Sequence, residues 1–433
     1  MKNKTGGVPG NNSLDLEKEV ITLEKHEIPT HYYNVLADLP FELEPPTGDL
    51  SVLGKIFPKE ILKQEMSKER FTKIPEEVRE LYALNGRPTP LQRARKLEKA
   101  IGTSCKIYFK REDTNTTGSH KSNTAFPQAY YAKQEGYKNI TTETGAGQWG
   151  SALALACMHF GLNLRVFMVK CSYEQKPNRK TIMHFYNAEV FPSPSNETKI
   201  GKEMQEKFPN TGGSLGMAIA EAVEEAKERE DTVYSLGSVL NHVLMHQTII
   251  GQETKKQLEK VGEEADIVIG CVGGGSNFGG IALPFIPDKL AGKEIEIIGV
   301  EPSEVPSMTK GEYKYDYGDT GKQTPLMKMH TLGSDYVPAP IYAGGLRYHG
   351  VAPLISALLE HKLVRAESYS QEECFAAAKL FAQTESIIPA PESSHAIKAA
   401  IEAAKRNKNK TIVFNLSGHG LLDLANYSKA LGL

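Results

Sequence analysis

A chain of 433 residues exceeds the size at which one hydrophobic core stops growing, so two lobes are expected. Forty per cent hydrophobic and 24% charged residues suit a soluble globular protein, and a formal net charge of -2 gives no electrostatic reason to expect nucleic acid or a membrane surface as partner. Five scattered cysteines, with no CxxC pair, argue against a zinc site or a disulfide framework and point to a reducing, cytoplasmic compartment.

The opening "MKNKTGGVPGNNSLDLEKEV" lacks the apolar core of a signal peptide, and no apolar run is long enough to span a bilayer. Residues 1–85 read as an extension, broken by prolines over 38–50 and strongly charged over 59–80. Beyond it, short β-branched runs alternate with helical patterns. Strands are predicted at 105–110, 164–170, 265–272, 295–301 and 411–417, several of them apolar throughout, as parallel strands covered on both faces are. Helices are predicted at 214–230 and 371–385. This alternation implies an α/β fold with parallel sheets. Ligands in such folds bind beyond the carboxyl ends of strands, and three glycine segments fall on that rim: "ETGAGQWG" (143–150), "GGGSNFGG" (273–280) and "SGHG" (417–420).

Gly273, Gly274 and Gly275, followed by Ser276 and Asn277, stand between an apolar strand and a helix predicted to begin near Phe278. Glycines let the backbone turn so that successive N–H groups face one anion, and phosphate is the natural guest. The plainer reading is a tight turn. A dinucleotide site needs GxGxxG and an acid about 20 positions on; here Phe278 takes the last glycine position and Glu301 lies too far along, which disfavours nicotinamide. In "GSHKSN" (118–123) a lysine follows a glycine turn and precedes a helical run. A lysine amine condenses with carbonyl groups when burial or a nearby cation lowers its pKa. Lys121 with a phosphate cradle therefore suggests a phosphorylated aldehyde held as a Schiff base, which describes pyridoxal phosphate. His120 would add a donor to the phosphate. Taken alone, the pair reads as easily as a solvated lysine and a structural histidine.

The loop at 143–150 offers backbone donors to an amino-acid carboxylate, next to Glu143, which is either an acid or base with a raised pKa or a solvated group at a helix start. Ser417 ends a buried strand, where its hydroxyl faces a pyridine nitrogen or caps the next helix. Glu385 precedes a proline-bounded turn as a supporting group or as the polar end of a helix. His242 and His246 have the i, i+4 spacing of a zinc helix without its glutamate or a third ligand, so helix packing is the better account.

"GSHKSN", "ETGAGQWG", "GGGSNFGG", "SIIPAPESSHA" and "LSGHG" occur in the order and spacing of the tryptophan synthase β chain, and the chain resembles that family over about residues 86–425. The long extension, "GLRYHGVAPL" (345–354) and "SGHGLLDL" (417–424) resemble its second, longer subgroup. The resemblance implies a fold type II pyridoxal phosphate enzyme with two domains and the cofactor between them. Residues 86–239 would form an N-terminal domain carrying the cofactor lysine and a mobile closing region (about 136–223), and 240–433 a C-terminal domain with the phosphate loop. It further implies a carbon–oxygen lyase that condenses indole with L-serine to give L-tryptophan. Lys121 would hold the cofactor, His120 and Gly273 to Asn277 its phosphate, Ser417 its ring nitrogen, with Glu385 near the ring. Thr144, Gly145, Ala146, Gly147 and Gln148 would hold the substrate carboxylate, and Glu143 would act on leaving group and indole. A monovalent cation (Na or K) would bind backbone near Gly273, Tyr348 and Gly350. The family also implies a homodimer and an α-chain partner.

Two departures stand out: Trp149 in place of a histidine, and Arg347 in place of an aspartate that helps close the site. A guanidinium there would welcome an anionic donor such as O-phosphoserine. The rivals are a serine or threonine deaminase on the same fold, a noncatalytic phosphate-binding protein, and a structural partner of an α chain.

Overall fold

The computed structural model describes residues 19–433; the first 18 residues of the expected extension lie outside them. In chain order the strands are β1 (Val20–Ile21), β2 (His31–Tyr33), β3 (Phe71–Lys73), β4 (Leu91–Arg93), β5 (Lys106–Arg111), β6 (Asn139–Thr144), β7 (Asn163–Val169) and β8 (Glu189–Ser193). They continue with β9 (Thr232–Tyr234), β10 (Ile267–Cys271), β11 (Glu296–Pro302), β12 (Glu312–Tyr317), β13 (Leu326–Thr331), β14 (Arg365–Tyr369) and β15 (Thr411–Leu416). The helices that shape the site are α1 (Ser122–Gln134), α2 (Gln148–Phe160), α3 (Leu215–Glu228), α4 (Ile249–Lys260), α5 (Ser276–Ala282) and α6 (Ser393–Arg406).

A seven-stranded sheet runs β1-β4-β5-β15-β10-β11-β14, parallel from β5 to β14. Alternate residues of its central strands enter different cores: Ile267, Ile269, Ile412 and Phe414 pack with Phe381 and Ile397, while Val268 and Val413 pack with Phe278 and Ile281. Helices cover both faces, which is why these strands are apolar throughout. A second, four-stranded parallel sheet runs β8-β7-β6-β9. It packs against α2 through Leu153 and Ala156 and against α3 through Ala218 and Ala222. The seven-stranded sheet draws β4 and β5 from before residue 239 and β10, β11, β14 and β15 from after it, so strand pairing crosses the expected 239/240 boundary.

The extension is bound along its described length. β1 pairs with β4, β2 with β3, and helix Ser51–Ile56 packs on α3 and β9. His242 Nδ1 meets Glu65 at 2.8 Å; His246 meets Gln64 at 2.8 Å and Thr124 at 3.0 Å. The two histidines thus fasten the extension to the core.

Beneath α1 lies a buried network of two cations and two anions. Arg87 donates to Glu112 (2.9 Å) and Glu253 (3.0 Å), and Lys110 donates to Glu253 (2.7 Å). All four side chains are buried to within 1%. Asn123, on α1, accepts from Arg87 and donates to Glu112, while Asn115 donates to Glu112 and to the Ser119 carbonyl. The loop carrying Lys121 is therefore tied to this network at both ends. Removing Glu253 takes the carboxylate partner from Lys110 and one of two from Arg87, so Glu253→Ala is expected to cost about 3–5 kcal/mol and lower the thermal midpoint. Glu42→Ala, which breaks an exposed pair with Lys68, is the control and should leave the midpoint unchanged.

Candidate active site

Loops after β6, β10 and β15 meet the start of α1 around one cavity, at the carboxyl ends of both parallel sheets. Its walls include His120, Lys121, Glu143, Gly273 and Ser417, so the three glycine segments converge as their position on the rim predicts.

Lys121 stands at the N-terminal end of α1. Its Nζ donates to the Gly237 carbonyl at 2.6 Å and to Ser276 Oγ at 2.9 Å. Burial pulls the amine down to about 8, against the opposing pull of Glu143, Cys271 and Glu392. Gly237 must lack a side chain, because a Cβ there would lie 2.6 Å from the Trp149 ring. Trp149 is itself fixed by its Nε1–H donating to Thr142 Oγ1 at 2.7 Å, so the residue flagged as a departure sets the peptide that orients the lysine.

Glu143 lies on β6 and is 4% exposed. Burial raises its carboxyl to about 7 against donors that include Tyr234 and the charge of Lys121. The Tyr234 hydroxyl donates to Glu143 Oε2 at 2.5 Å. Thr144, Gly145, Ala146 and Gln148 line the cavity beside it; Gly147, with φ of 92°, forms the turn into α2.

Gly273 to Asn277 all line the cavity, and α5 begins at Ser276, ahead of the expected Phe278. A Cβ on Gly274 would collide with Ser238, and Gly275 has φ of 115°, so glycine is required at both. The Asn277 side chain is engaged by Cys271 O (3.0 Å) and Asn415 (2.6 Å), which leaves its backbone N–H to serve the cradle. His120 Nδ1 lies 3.2 Å from the Ser417 carbonyl, a group that only accepts, and Nε2 lies 3.3 Å from Ser276 Oγ. Burial holds this imidazole down at about 3 and hence neutral, so Nε2 is an acceptor. His120 thus lines the cavity and meets the cradle at Ser276. Ser417 Oγ is 2.7 Å from Ser393 Oγ at the start of α6.

Glu385 does not stand where the sequence places it. It ends helix Gln371–Glu385 and accepts the Leu97 N–H at 2.7 Å, outside the cavity wall. Glu392, later in the same motif, is the glutamate that lines the cavity instead: 4% exposed, it accepts from Gly345 N (2.8 Å) and Gln148 Nε2 (3.2 Å). Arg347 also stands back from the main cavity, in a small adjoining one that shares Leu215 and Gly344 with it. Its guanidinium bonds Cys171 Sγ at 2.9 Å and Ser172 Oγ, and among the described residues it has no carboxylate partner. Tyr348 is buried with its hydroxyl on the Gly318 carbonyl (2.7 Å), and Gly350 bridges Thr331. Sequence reasoning missed Tyr234, Gly237, Ser393 and Glu392; only Glu392 and Ser393 lay inside a quoted motif.

Residues 82–418 match the family model described as "Pyridoxal-phosphate dependent enzyme". The chain is 56% identical over 422 residues to the tryptophan synthase beta chain of Thermosipho africanus, covering 95% of this chain and 100% of that protein. It is 56% identical over 419 residues to tryptophan synthase beta chain 2 of Thermotoga maritima, covering 94% and 99%. Among solved structures, threonine deaminase isoform 2 from Solanum lycopersicum has the same fold, with a TM-score of 0.61 at 21% identity over 91% of this chain and 98% of that one. The chain belongs to the tryptophan synthase β-chain family of pyridoxal-phosphate dependent enzymes.

Proposed function

We propose that this chain condenses indole with L-serine, or with an activated serine such as O-phosphoserine, to give L-tryptophan by β-replacement. The observation that carries the reading is the meeting of Lys121, the glycine cradle and Glu143 in one cavity. What supports pyridoxal phosphate as the resident group is the donor set. An amine with its pKa drawn to about 8 would hold the aldehyde, a turn that only glycine can make would hold the phosphate, and the neutral Ser417 hydroxyl would meet the ring nitrogen. When bound, this group supplies an electron sink for charge developing at the amino-acid Cα.

The chain's own residues then divide the work. Lys121, neutral in an accessible fraction near pH 7, takes the Cα proton and later returns it. Backbone N–H groups of Thr144 to Gln148 hold the substrate carboxylate. Glu143, poised at about 7, donates a proton to a departing hydroxyl and then accepts the indole N–H. Ser417 keeps a neutral partner at the ring nitrogen, which tempers the electron sink and favours elimination and replacement over transamination. The unpaired guanidinium of Arg347 supports an anionic leaving group. A monovalent cation at backbone near Gly273, Tyr348 and Gly350 belongs to the same reading, supported by the close approach of the Gly345 carbonyl to Gly273. So do a homodimer, an α-chain partner and a cytoplasmic location; the relatives are named as β chains, and no helix among the described residues is long and apolar enough to cross a membrane.

The decisive experiment follows the visible spectrum of the protein with pyridoxal phosphate on adding L-serine and then indole. A band absent from Lys121→Ala should shift with serine and return as tryptophan accumulates; pyruvate as the sole product would make the chain a deaminase. For the donor, kcat/KM for O-phosphoserine should exceed that for serine, and Arg347→Gln should lower the former by roughly 10- to 100-fold. A strong preference of the unmodified chain for serine would remove the phosphoserine arm. Glu143 gives a third prediction. Its folded pKa of about 7 exceeds the ordinary 4.5, so the fold favours the protonated form and loses stability as pH rises through that window. Cofactor-free Glu143→Gln lacks this loss, and its stability relative to the unmodified protein should rise between pH 4.5 and 7 by about 3 kcal/mol at most, read as a growing gap in thermal midpoint.

A further inference from the structure

We infer that Tyr234 is a positioning residue for Glu143 and that the N-terminal segment, through Phe57, holds Tyr234 in place. The inference rests on the proposed reading of Glu143 as the group that handles the proton of leaving group and indole. Tyr234 ends β9, the edge strand beside β6, and its hydroxyl makes a 2.5 Å bond to Glu143 Oε2. A carboxylate with one oxygen fixed by a phenol can present the other only within a narrow arc, and misplacement of an ångström at a proton-transfer step costs rate steeply. The ring that carries the phenol is also packed by the N-terminal segment. It borders an apolar cavity of about 920 Å³ walled largely by residues 36–66, and within that wall the Phe57 ring packs on Tyr234 at 5.7 Å between centroids, tilted by 52°. Phe57 is 3% exposed and also meets the His242 ring at 5.9 Å, which Glu65 holds. The extension whose purpose the sequence leaves blank thus reaches Glu143 through two side chains.

The groups facing Glu143 are few. Lys121 approaches from the start of α1, Tyr234 from β9, the Gly237 N–H from the turn after β9, and Tyr348 from the loop after β13, with Asp319 behind the two tyrosines. Among the described residues, only Tyr234 gives the Glu143 carboxyl a hydrogen bond from a side chain. A donor to the charged form favours ionisation, so removing the phenol leaves burial less opposed.

The test titrates cofactor-free protein by infrared difference spectroscopy, following the protonated carboxyl stretch that Glu143→Gln lacks. Tyr234→Phe, which keeps the ring, should move the midpoint from near 7 upward by roughly one pH unit. In the holoenzyme the matching limb of the pH profile should move with it and kcat should fall roughly tenfold with KM for the amino acid unchanged. Phe57→Leu should shift the midpoint in the same direction by less; if that variant does not fold, Phe57→Met takes its place. An unmoved midpoint in Tyr234→Phe overturns the positioning role, and a moved one with no response to Phe57 variants overturns the part played by the extension. A moved midpoint with unchanged kcat and pH profile leaves the positioning intact and overturns instead the reading of Glu143 on which it rests.

Discussion

Two cations and two anions sealed from water under α1 set the terms for everything above them. Burying one such charge is prohibitive, and burying four is tolerable only when each is paired and its remaining hydrogen-bonding positions are filled. Arg87, Lys110, Glu112 and Glu253 meet that condition with the help of Thr89, Gln257, Asn115 and Asn123. The requirement fixes β5, α4 and the loop from Glu112 to Asn123 relative to one another. Lys121 lies within that loop, so its amine inherits a position that no local turn preference would maintain.

Once fixed, the amine and Glu143 feel the same desolvation with opposite results. Burial disfavours charge, which lowers the lysine to about 8 and raises the glutamate to about 7. Their mutual attraction opposes both shifts and keeps each within reach of neutral pH, where proton transfer in either direction is cheap. Apart from Lys121, Glu143 and Glu392, the wall carries no charged side chain: His120 is held neutral, Cys271 is pushed up to about 12, and Ser417 does not titrate. Charge brought by a ligand is therefore not screened by a crowd of ionised side chains.

The sequence disclosed the parts whose physics is local. Strands apolar on both faces, such as Ile267–Cys271 and Thr411–Leu416, advertise a covered parallel sheet, and Gly273 to Gly275 advertise a turn with one kind of guest. Strands such as Asn139–Thr144 and Arg365–Tyr369 carry threonine, glutamate or arginine and give no such signal, because Thr142, Glu143 and Thr144 are engaged in hydrogen bonds with Trp149, Tyr234 and Gly150 and β14 lies at the edge of its sheet. The misplacement of Glu385 has a similar origin. Ser386 turns left-handed at φ of 63° and ends the helix there, so the chain carries Glu385 toward Leu97 and delivers Glu392 to the cavity. Tyr234 was invisible because its meaning comes from Phe57 and Glu143, both distant in sequence.

Arg347 ties the electrostatics to the choice of donor. Its guanidinium meets the Cys171 sulfur and the Ser172 hydroxyl, and no carboxylate among the described residues, one wall away from the groups that handle protons. A cation kept without an anion beside a reaction centre stabilises negative charge that arrives or develops there. A hydroxyl leaves only with a proton, which calls on Glu143 in its acid form. A phosphate group already carries roughly -1.5 to -2 charge near neutral pH, and breaking the Cβ–O bond adds one more negative charge to it, which a guanidinium or the phosphate's own remaining proton offsets. With such a donor the demand on Glu143 as an acid falls and its carboxylate form is left to serve the indole N–H, and the phenol of Tyr234, which favours that ionised form, acts in the same direction as Arg347.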